Sequence, residues 1–533
     1  MEYKPPRSSH LLHGSPVVDS TRTSLMKPIR IIQDGREALW RITEADREKL
    51  FRLLFHRYPD SEWGTFFRFG YRRTGWGILV TWVDVLKPEA GDLDPNSPLV
   101  EFRPAYIRRV LAALESDELG VGVIHSHPED CAPFPSRSDD DMDSYFAEEF
   151  ERFGNGRPYA SLIVARNANR ELSFSGRVFD RGDWLPVKNC MVVGERLLRE
   201  WARQESNCFI ATRDTVVNQT TQERLAQLLG ASAPRRLRNS VVGVVGCSGT
   251  GSPAIHLLAR AEVGELVIVD PGPFKPSNHQ RNHASRYSDL SADPAPTKVA
   301  LAARLVGEIS LATKVTGFVG DLLDEVVLDE LLRCDLILGC TDSNYARAAL
   351  GDIAAHYLVP VLDLAVQMRA KAGILREQLG EIALYAPGLP CPWCVGRVDV
   401  NGIRYETATA EERQFRADAA AAAEQRGLDG AQYWGGTPPP ELTVGYLTTM
   451  VGAMGAGYAQ NLLLGSAKLP HHRFQFDLGF SSLGVVADER LPRTDCACQR
   501  SIGRNDQARA YRSVSHPAHW PQAVRVHEDQ MPP

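Results

Sequence analysis

The segment NSVVGVVGCSGTGSPAIHLLARAEVGELVIVD, residues 239–270, changes its hydrophobic pattern twice along its length. VVGVV and ELVIV are short apolar runs typical of buried strands, and a glycine-rich turn and a helical stretch lie between them. In the helical stretch Ile255, Leu258 and Ala259 form an apolar stripe, while Ser252 and Pro253 suit the N-cap and the first helical position. The order strand, turn, helix, strand predicts a β-α-β unit.

The glycines of this turn predict a nucleotide site. Gly246, Gly249 and Gly251 would let a phosphate approach the amides at the helix N-terminus. Asp270, 24 residues after Gly246, ends the next strand, where an acid can bind ribose hydroxyls. A dehydrogenase is the obvious alternative, but the NAD fingerprint G-x-G-x-x-G would place a glycine at Ser248, whereas this turn reads G-x-x-G-x-G.

Three further segments follow in an order and spacing that resemble the ThiF/MoeB/ubiquitin-activating superfamily: DPGPFKPSNHQRN at 270–282, TK at 297–298 and DLILGCTDSNYAR at 335–347. The resemblance implies a Rossmann-like domain that uses ATP and Mg²⁺ for adenylation. It implies that Asn278, Arg281 and Lys298 hold the ATP phosphates, and that Asp342 organises magnesium and the attacking carboxylate. The positive charges of Arg281 and Lys298 would offset the negative charge that develops on the leaving pyrophosphate.

Two positions depart from the family pattern. Gly272 and Asn282 stand where the family commonly has Asp and Gln, and neither change removes a phosphate-binding charge. Family members often receive an arginine from the partner subunit, placed before the glycine turn. Arg213 is the best match and Arg224 the second, and this assignment implies a homodimer.

A second motif, IHSHPEDCAPFPSRSDDD, occupies residues 124–141. The preceding GVGVI is apolar and β-branched, so the segment is interpreted as a buried strand in which side chains two residues apart share a face. His125 and His127 therefore point the same way, and Asp139 is brought back by the bend at Pro133 and Pro135. Imidazoles plus an oxygen donor, with the fourth position open, are typical of catalytic zinc. A surface turn with two solvated histidines is the alternative.

The order His-x-His-Pro, bend, Pro-Ser-x-x-Asp resembles the JAMM (JAB1/MPN/Mov34) metalloprotease signature. The resemblance implies that Ser136 donates a hydrogen bond to the oxyanion of the tetrahedral intermediate. Eight residues separate His127 from Ser136, one more than the family usually has. Ser138 with Asp140 or Asp141 is therefore an alternative register.

The JAMM family also needs a glutamate on an earlier element as the base. Glu62, in DSEWGTFFRFG, precedes an apolar stretch at about the expected distance and is preferred. Glu48 is the competitor, but it lies in ITEADREKLF, which is patterned as an amphipathic helix whose acids face water. The implied reaction is zinc-dependent amide hydrolysis without a covalent intermediate.

Four cysteines from two distant segments, PCPWC at 390–394 and CAC at 496–498, predict a closed structural zinc site. The ligands would be Cys391, Cys394, Cys496 and Cys498. The second pair is one residue shorter than the usual C-x-x-C, and packing thiols are the alternative interpretation.

Many relatives carry a nucleophilic cysteine after the first pair, in a crossover loop or before a helix that resembles TVGYLTTMVGAMGAGYAQNLLLG. Here no cysteine lies between Cys394 and Cys496, and Glu441 or a neighbour stands at the aligned position. ETATAEERQFRADAAAAAEQRG is predicted to be a helical part of the crossover. We therefore expect no thioester on this enzyme, and direct passage of the acyl-adenylate to a thiol on a partner.

The composition is that of a globular protein, with 533 residues, 43% hydrophobic and 24% charged residues and a formal net charge of −6. The mild acidic excess gives no support to nucleic-acid binding. The N-terminal MEYKPPRSSHLLHGSP has no apolar core of a signal peptide, and no run approaches the ~18 apolar residues that span a bilayer. We therefore expect a cytoplasmic protein with no membrane partner.

The patterns predict an α/β fold class and five segments. They are a disordered N-terminus at 1–28, a JAMM-type α/β/α domain at 29–185, a connector at 186–236, a Rossmann-like ThiF-type adenylation domain at 237–510 and an unassigned tail at 511–533.

Both resemblances imply one class of substrate. JAMM proteases trim or remove ubiquitin-like proteins, and ThiF-type enzymes adenylate the exposed C-terminal glycine of such proteins. The fusion predicts processing and activation of a ubiquitin-like protein in a bacterial-type conjugation pathway, beside a conjugating enzyme. The alternatives are trimming and activation of a sulfur-carrier protein for cofactor or cysteine synthesis, and a binding scaffold with inactive sites.

Overall fold

The computed structural model describes residues 29–114, 117–129, 131–167, 171–194, 196–202, 221–310, 312–429, 442–467, 471–479 and 484–526. Within these ranges the chain forms two mixed sheets with helices packed against them, so the predicted α/β class is confirmed. The predictions for residues 1–28, for Arg213 and for Glu441 lie outside the described residues.

The first sheet has the strand order β1-β3-β2-β4-β5-β6-β7-β8. Its strands are β1 (Glu37–Thr43), β2 (Trp63–Thr74), β3 (Gly77–Leu86), β4 (Gly120–Ser126), β5 (Tyr159–Arg166), β6 (Leu172–Asp180), β7 (Asp183–Val193) and β8 (Leu197–Trp201). β1 also pairs with β7, so the sheet closes on itself around an aromatic interior that includes Trp40, Phe67 and Trp82.

Three helices accompany this sheet: α1 (Glu44–Leu54), α2 (Pro104–Leu114) and α3 (Arg137–Phe153). α2 and α3 bury Tyr106, Phe146 and Phe150 against Phe66 of β2 on the outer face of the sheet. This packing fixes the start of α3 beside the end of β4, where the histidines of the motif lie.

The second sheet has the strand order β16-β15-β14-β13-β12-β9-β10-β11-β17. Its strands are β9 (Val241–Val245), β10 (Glu265–Val269), β11 (Lys314–Val319), β12 (Leu336–Gly339), β13 (Val361–Lys371), β14 (Ile374–Tyr385), β15 (Arg473–Asp477), β16 (Gly484–Asp488) and β17 (Val524–Val526). The five strands β13, β12, β9, β10 and β11 are parallel, and antiparallel strands extend the sheet on both sides. The carboxyl ends of the parallel strands therefore meet at one edge.

The helices of this second half are α4 (Glu223–Leu229), α5 (Ala233–Arg238), α6 (Gly251–Arg260), α7 (Lys298–Ile309), α8 (Glu325–Leu331), α9 (Asn344–His356), α10 (Val400–Thr407), α11 (Ala410–Gln425), α12 (Gly445–Leu464) and α13 (Ala497–Arg500). The apolar stripe predicted for α6 is fully buried. α12 packs against α6 and contributes Leu447 and Val451 to the same core. None of the described helices is long and apolar enough to cross a membrane.

The start of α6 differs from the prediction. The helix begins at Gly251 with Thr250 as its N-cap, so Ser252 is not the cap, and its hydroxyl instead accepts a hydrogen bond from the His283 amide at 3.0 Å. At the start of this helix the backbone of Gly251 lies close to that of Gly246, and a Cβ on Gly251 would lie 1.9 Å from the Gly246 carbonyl oxygen.

Two predicted boundaries also differ. Residue 185 falls within β7, and β8 follows, so the first part of the predicted connector at 186–236 belongs to the first sheet. Residues 190–193 are buried and pair with β1, which a purely local reading of helix formers and charges does not detect. In the predicted tail, β17 adds an antiparallel edge to β11.

The two halves are in contact through buried polar groups. Arg41 of β1, only 3% exposed, donates to the carbonyl oxygens of Cys334 at 2.8 Å and Tyr357 at 3.3 Å. Arg72 of β2 pairs with Asp329 at 2.8 Å and with Asp506 at 3.1 Å.

Candidate functional site

The HxH motif ends a buried strand, as the sequence predicts. β2 and β4 are antiparallel with Gly64 opposite His125, and a Cβ on Gly64 would lie 2.9 Å from the Cβ of His125. His125 and His127 are 1% and 8% exposed, so the alternative of two solvated histidines does not describe them. Asp139, in the first turn of α3, is brought to the same point.

The geometry of this cluster fits a metal ion. The Nε2 of His125 lies 3.2 Å from Asp139 Oδ1 and the Nε2 of His127 lies 3.8 Å from Asp139 Oδ2. One ligand atom from each of the three residues lies within 4.8 Å of the others. Within the described residues, neither ring nitrogen of His125 has an aligned hydrogen-bond partner, and the same holds for His127 Nε2.

The hydrogen-bond partners of the cluster also fit a metal ion. His127 Nδ1 lies 2.8 Å from the Ala132 carbonyl oxygen, to which it can donate, and this contact leaves Nε2 as the nitrogen that faces Asp139 and Glu62. Burial alone would raise the pKa of Asp139, but the imidazoles of His125 and His127 outweigh it and hold that pKa well below its usual range. A buried carboxylate beside two unpartnered imidazole nitrogens is a donor set that suits Zn²⁺.

Glu62 lies beside this cluster and Glu48 does not. Glu62 Oε1 is 3.9 Å from His127 Nε2, and Oε2 accepts a hydrogen bond from the Val100 amide at 3.2 Å. Glu48 is exposed on α1. The structure therefore brings Glu62, and not Glu48, to the histidine cluster.

Ser136 caps α3. Its hydroxyl accepts from the Asp139 amide at 3.2 Å, and its own amide donates to Asp139 Oδ2 at 2.7 Å, so the cap also orients the carboxylate. In the alternative register Asp140 or Asp141 would be the ligand, but Asp140 pairs with Arg177 at 2.6 Å and Asp141 is exposed. A cleft of about 330 Å³ opens here, lined by Glu62, Ser136 and Asp139 together with Val100 and Tyr145.

The glycine turn opens into a larger cavity of about 860 Å³ at the carboxyl edge of the second sheet. The predicted residues that line it are Gly246, Gly249, Asp270, Asn278, Arg281, Lys298 and Asp342. Gly251 is not in the wall and serves the close packing of α6. Gly246 has φ +98°, and a Cβ there would lie 2.3 Å from the Cys340 carbonyl oxygen, so both conformation and space require glycine.

The polar groups of this cavity are partly satisfied by each other. Asp270, 4% exposed, accepts from the Cys247 amide at 2.9 Å and the Gly272 amide at 2.8 Å, and Lys298 Nζ lies 3.1 Å from its Oδ1. Asn278 Oδ1 accepts from the Lys275 amide at 3.0 Å. A Cβ at Gly272 would lie 2.9 Å from Lys298 Nζ, so the glycine leaves space for this lysine.

Arg281, assigned to phosphate binding, and Asp342, assigned to catalysis, both line the cavity. Arg281 Nη1 donates to Thr443, while its buried Nε has no hydrogen-bond partner within the described residues. Asp342 lies between β12 and α9 and is exposed. Arg224, the second candidate for the partner's arginine, is exposed on α4.

The four predicted cysteines converge. The Sγ–Sγ distances are 3.7 Å for Cys391–Cys394, 3.6 Å for Cys391–Cys496 and 3.9 Å for Cys394–Cys498. A tetrahedral zinc with Zn–S bonds of about 2.3 Å has edges of about 3.8 Å, so the set fits Zn²⁺ despite the short second pair. A hydrogen bond from Cys391 lowers the pKa of Cys498 to about 5, toward the thiolate that binds metal.

Part of the cavity wall was not predicted from the sequence. Asp321, which follows β11, and Trp520 and Pro521 of the predicted tail also line it. Residues 511–523 show no periodicity that would have assigned them, and their place depends on contacts with distant residues.

Comparison with known proteins gives matches to both halves. A model of the ThiF family matches residues 221–498, and a model of prokaryotic homologs of the JAB domain matches residues 80–175. The chain is 30% identical over 177 residues to the adenylyltransferase and sulfurtransferase UBA4 of Yarrowia lipolytica, covering 33% of this chain and 41% of that protein. It is 28% identical over 167 residues to the SAMP-activating enzyme E1 of Haloferax volcanii, covering 31% and 57%.

Among solved structures, E. coli MccB with ATP is similar with a TM-score of 0.39 and 13% identity, over 53% of this chain and 74% of that chain. The present chain spans only about half the length of the two curated relatives that it matches, 41% and 57%.

Proposed function

Because the chain belongs to the ThiF family and also carries a JAB-like domain, we propose that it adenylates the C-terminal glycine of a ubiquitin-like or sulfur-carrier protein and hydrolyses amide bonds at such a C-terminus. The observation that carries the proposal is one cavity that combines the glycine turn with Arg281, Lys298 and Asp342. Relatives whose names include SAMP activation and ThiS adenylylation support this class of substrate.

In the proposed adenylation, a carboxylate oxygen of the carrier attacks the α-phosphorus of ATP, the bond to the β-phosphate breaks, and pyrophosphate leaves. Arg281, Lys298 and Asn278 bind the phosphates and offset the charge that develops on the leaving group. Asp270 accepts hydrogen bonds from the ribose hydroxyls. Asp342 positions magnesium, which would supply further charge compensation, and orients the incoming carboxylate.

In the proposed hydrolysis, His125, His127 and Asp139 hold a zinc ion, which would polarise water and lower its pKa toward neutrality. Glu62 accepts a proton from that water and later delivers it to the leaving amine. Ser136 donates a hydrogen bond to the oxyanion, which requires its hydroxyl proton to face the cleft while its lone pair caps α3.

The proposed partners are a carrier ending in glycine, a conjugating enzyme that accepts the activated carrier, and a second copy of this chain that contributes Arg213. Cytoplasmic localisation is part of the same proposal. The alternative use of the same chemistry is sulfur-carrier activation, in which a sulfur donor attacks the adenylate. Mass spectrometry of the carrier after reaction distinguishes the two, because conjugation leaves an amide-linked target and sulfur transfer leaves a thiocarboxylate.

The test is ATP–pyrophosphate exchange by the full chain with a carrier protein ending in glycine. Exchange should require the carrier, and Asp342→Ala should abolish it while Asp60→Ala, at an exposed position in the first half, retains it. Exchange without any carrier, or preferential binding of NAD over ATP, would overturn the proposal.

A further inference from the structure

Residues 513–526, here called the C-terminal segment, lie beyond the ThiF family match at 221–498 and are fixed to the second sheet at several points. Ser513 donates from its amide and hydroxyl to Asp352 at 2.6 and 2.9 Å. The Ala523 amide donates to Asp324 Oδ2 at 2.9 Å. β17 then pairs with β11. The C-terminal segment is therefore a built part of this domain.

Its middle reaches the nucleotide cavity. His516 Nδ1 lies 3.0 Å from Asp321 Oδ1, and the same oxygen accepts from the Tyr345 hydroxyl at 3.0 Å. The ring of Trp520 packs edge to face on Tyr345, with 5.0 Å between ring centroids. Trp520 and Pro521 form a wall of the cavity beside Asp321.

A nucleotide needs three surfaces: cations for its phosphates, an acceptor for its ribose hydroxyls and an apolar face for its base. Arg281, Lys298 and Asp270 provide the first two. Of the described residues that line the cavity, only Tyr345 and Trp520 are aromatic. Tyr345 is 2% exposed and covered, whereas Trp520 is only half-buried and presents its ring to the cavity.

We infer that the C-terminal segment completes the nucleotide site from the same chain, with Trp520 as the surface against which the base of ATP packs. The inference rests on the proposed adenylation. An aromatic ring contacts the face of any base, so Trp520 contributes affinity for the nucleoside part and none for the triphosphate. His516 and Tyr345 are positioning residues that hold the ring in place through Asp321 and direct packing.

The experiment compares two probes by calorimetry with magnesium present: ATP, which has a base, and inorganic tripolyphosphate, which has none. Trp520→Ala should weaken ATP binding about tenfold, equivalent to about 1.4 kcal/mol, and leave tripolyphosphate binding within about twofold. Trp520→Phe should restore most of the ATP affinity. Arg281→Ala should weaken both probes.

Val524→Ala is the matched control, since Val524 belongs to the same segment but is 61% exposed and does not line the cavity. Thermal unfolding without ligand checks that Trp520→Ala remains folded. Equal losses for both probes would mean that Trp520 acts only through the fold, and unchanged or tighter ATP binding would mean that the segment does not contact the base. Absence of ATP binding by the unaltered protein would instead overturn the proposed adenylation itself.

Discussion

Replacement of Cys498 by alanine should remove a structural zinc and leave the proposed catalytic zinc in place. Three of the Sγ–Sγ distances among the four cysteines are 3.6 to 3.9 Å, which fits a closed tetrahedral zinc site, and three thiols would hold zinc more weakly than four. The histidine site lies on the other sheet and shares none of these ligands. Zinc content should therefore fall from about two ions per chain to about one.

Loss of this zinc should weaken the packing of the residues that follow Cys498, because the second cysteine pair leads directly into the contact between the two halves. Thr81 donates to the Gly503 carbonyl oxygen at 2.5 Å, the Tyr71 amide donates to Gln507 at 2.9 Å, and Arg72 pairs with Asp506. The Gly503 amide also donates to the Ala355 carbonyl oxygen at 3.0 Å, Asn505 donates to Thr81, and the Tyr357 hydroxyl donates to Asp506 at 2.7 Å. At about 1 kcal/mol for each of these six interactions, residues 498–507 would keep about 6 kcal/mol of holding free energy without zinc, which corresponds to an exchange protection on the order of 10⁴ for the Gly503 amide.

Zinc is counted by elemental analysis, and protection by hydrogen exchange with mass spectrometry. His125→Ala is the matched variant, because it should also lose one zinc while leaving the Gly503 amide protected. A double variant of His125 and Cys498 should retain almost no zinc. Full zinc content in Cys498→Ala would contradict zinc binding by the four cysteines, and unchanged protection of Gly503 after the metal is lost would show that zinc does not hold residues 498–507 in place.

Three further outcomes are expected. Glu62→Gln should keep zinc but slow release of a C-terminal extension from the carrier by about 10² to 10⁴, whereas Glu48→Gln should cleave normally; an unimpaired Glu62→Gln enzyme would remove this glutamate from the mechanism. Asp143→Ala should lower the free energy of unfolding by about 3 kcal/mol in urea titrations, because it leaves Arg177 buried with one partner fewer, and a loss below about 1 kcal/mol would contradict this. A mixture of enzyme, ATP and carrier alone should give no reductant-sensitive adduct on a gel. Cys340 is the only cysteine among the described residues of the cavity wall, and burial raises its pKa to about 12, so its thiol is a poor nucleophile. An adduct band would show that another thiol acts as the nucleophile.

The glycine turn and the strands and helix around it could be predicted because the residues that form them are consecutive in the sequence. β9, the glycine turn, α6 and β10 follow one another within 32 residues, and each has a period that the sequence shows directly. The same holds for His125 and His127, which share a face because they are two residues apart on a strand. The sequence left Asp139, Asp140 and Asp141 open as the third proposed ligand, because the pairing of Asp140 with Arg177, 37 residues away, is not visible in the local pattern.

The parts that differed from prediction depend on partners far along the chain. The later part of β7 and all of β8 were assigned to a connector rich in helix formers and charge, while their strand character comes from the pairing of β7 with β1 and of β8 with β7. β17 has three residues, too few for any periodicity, and exists by pairing with β11 more than 200 residues earlier. Long-range pairing of this kind overrides local propensity.

The contact between the halves constrains how the two proposed reactions can be coupled. Arg41 is buried with carbonyl oxygens of the second half as its partners, and burial lowers the pKa of this guanidinium to about 10, so separating the halves would leave its contacts unmade. The contacts of Arg41 and Arg72 join the two halves in this structure, and passing a bound carrier by swinging the halves apart would break them. The two proposed reactions would follow one another in a fixed order, because hydrolysis at the cleft of the first half would produce the free glycine carboxylate that adenylation in the second half would use. If both proposed reactions act on one carrier, the carrier would leave the cleft at His125 and His127 and bind again at the nucleotide cavity, so each site would recognise the C-terminus of the carrier independently.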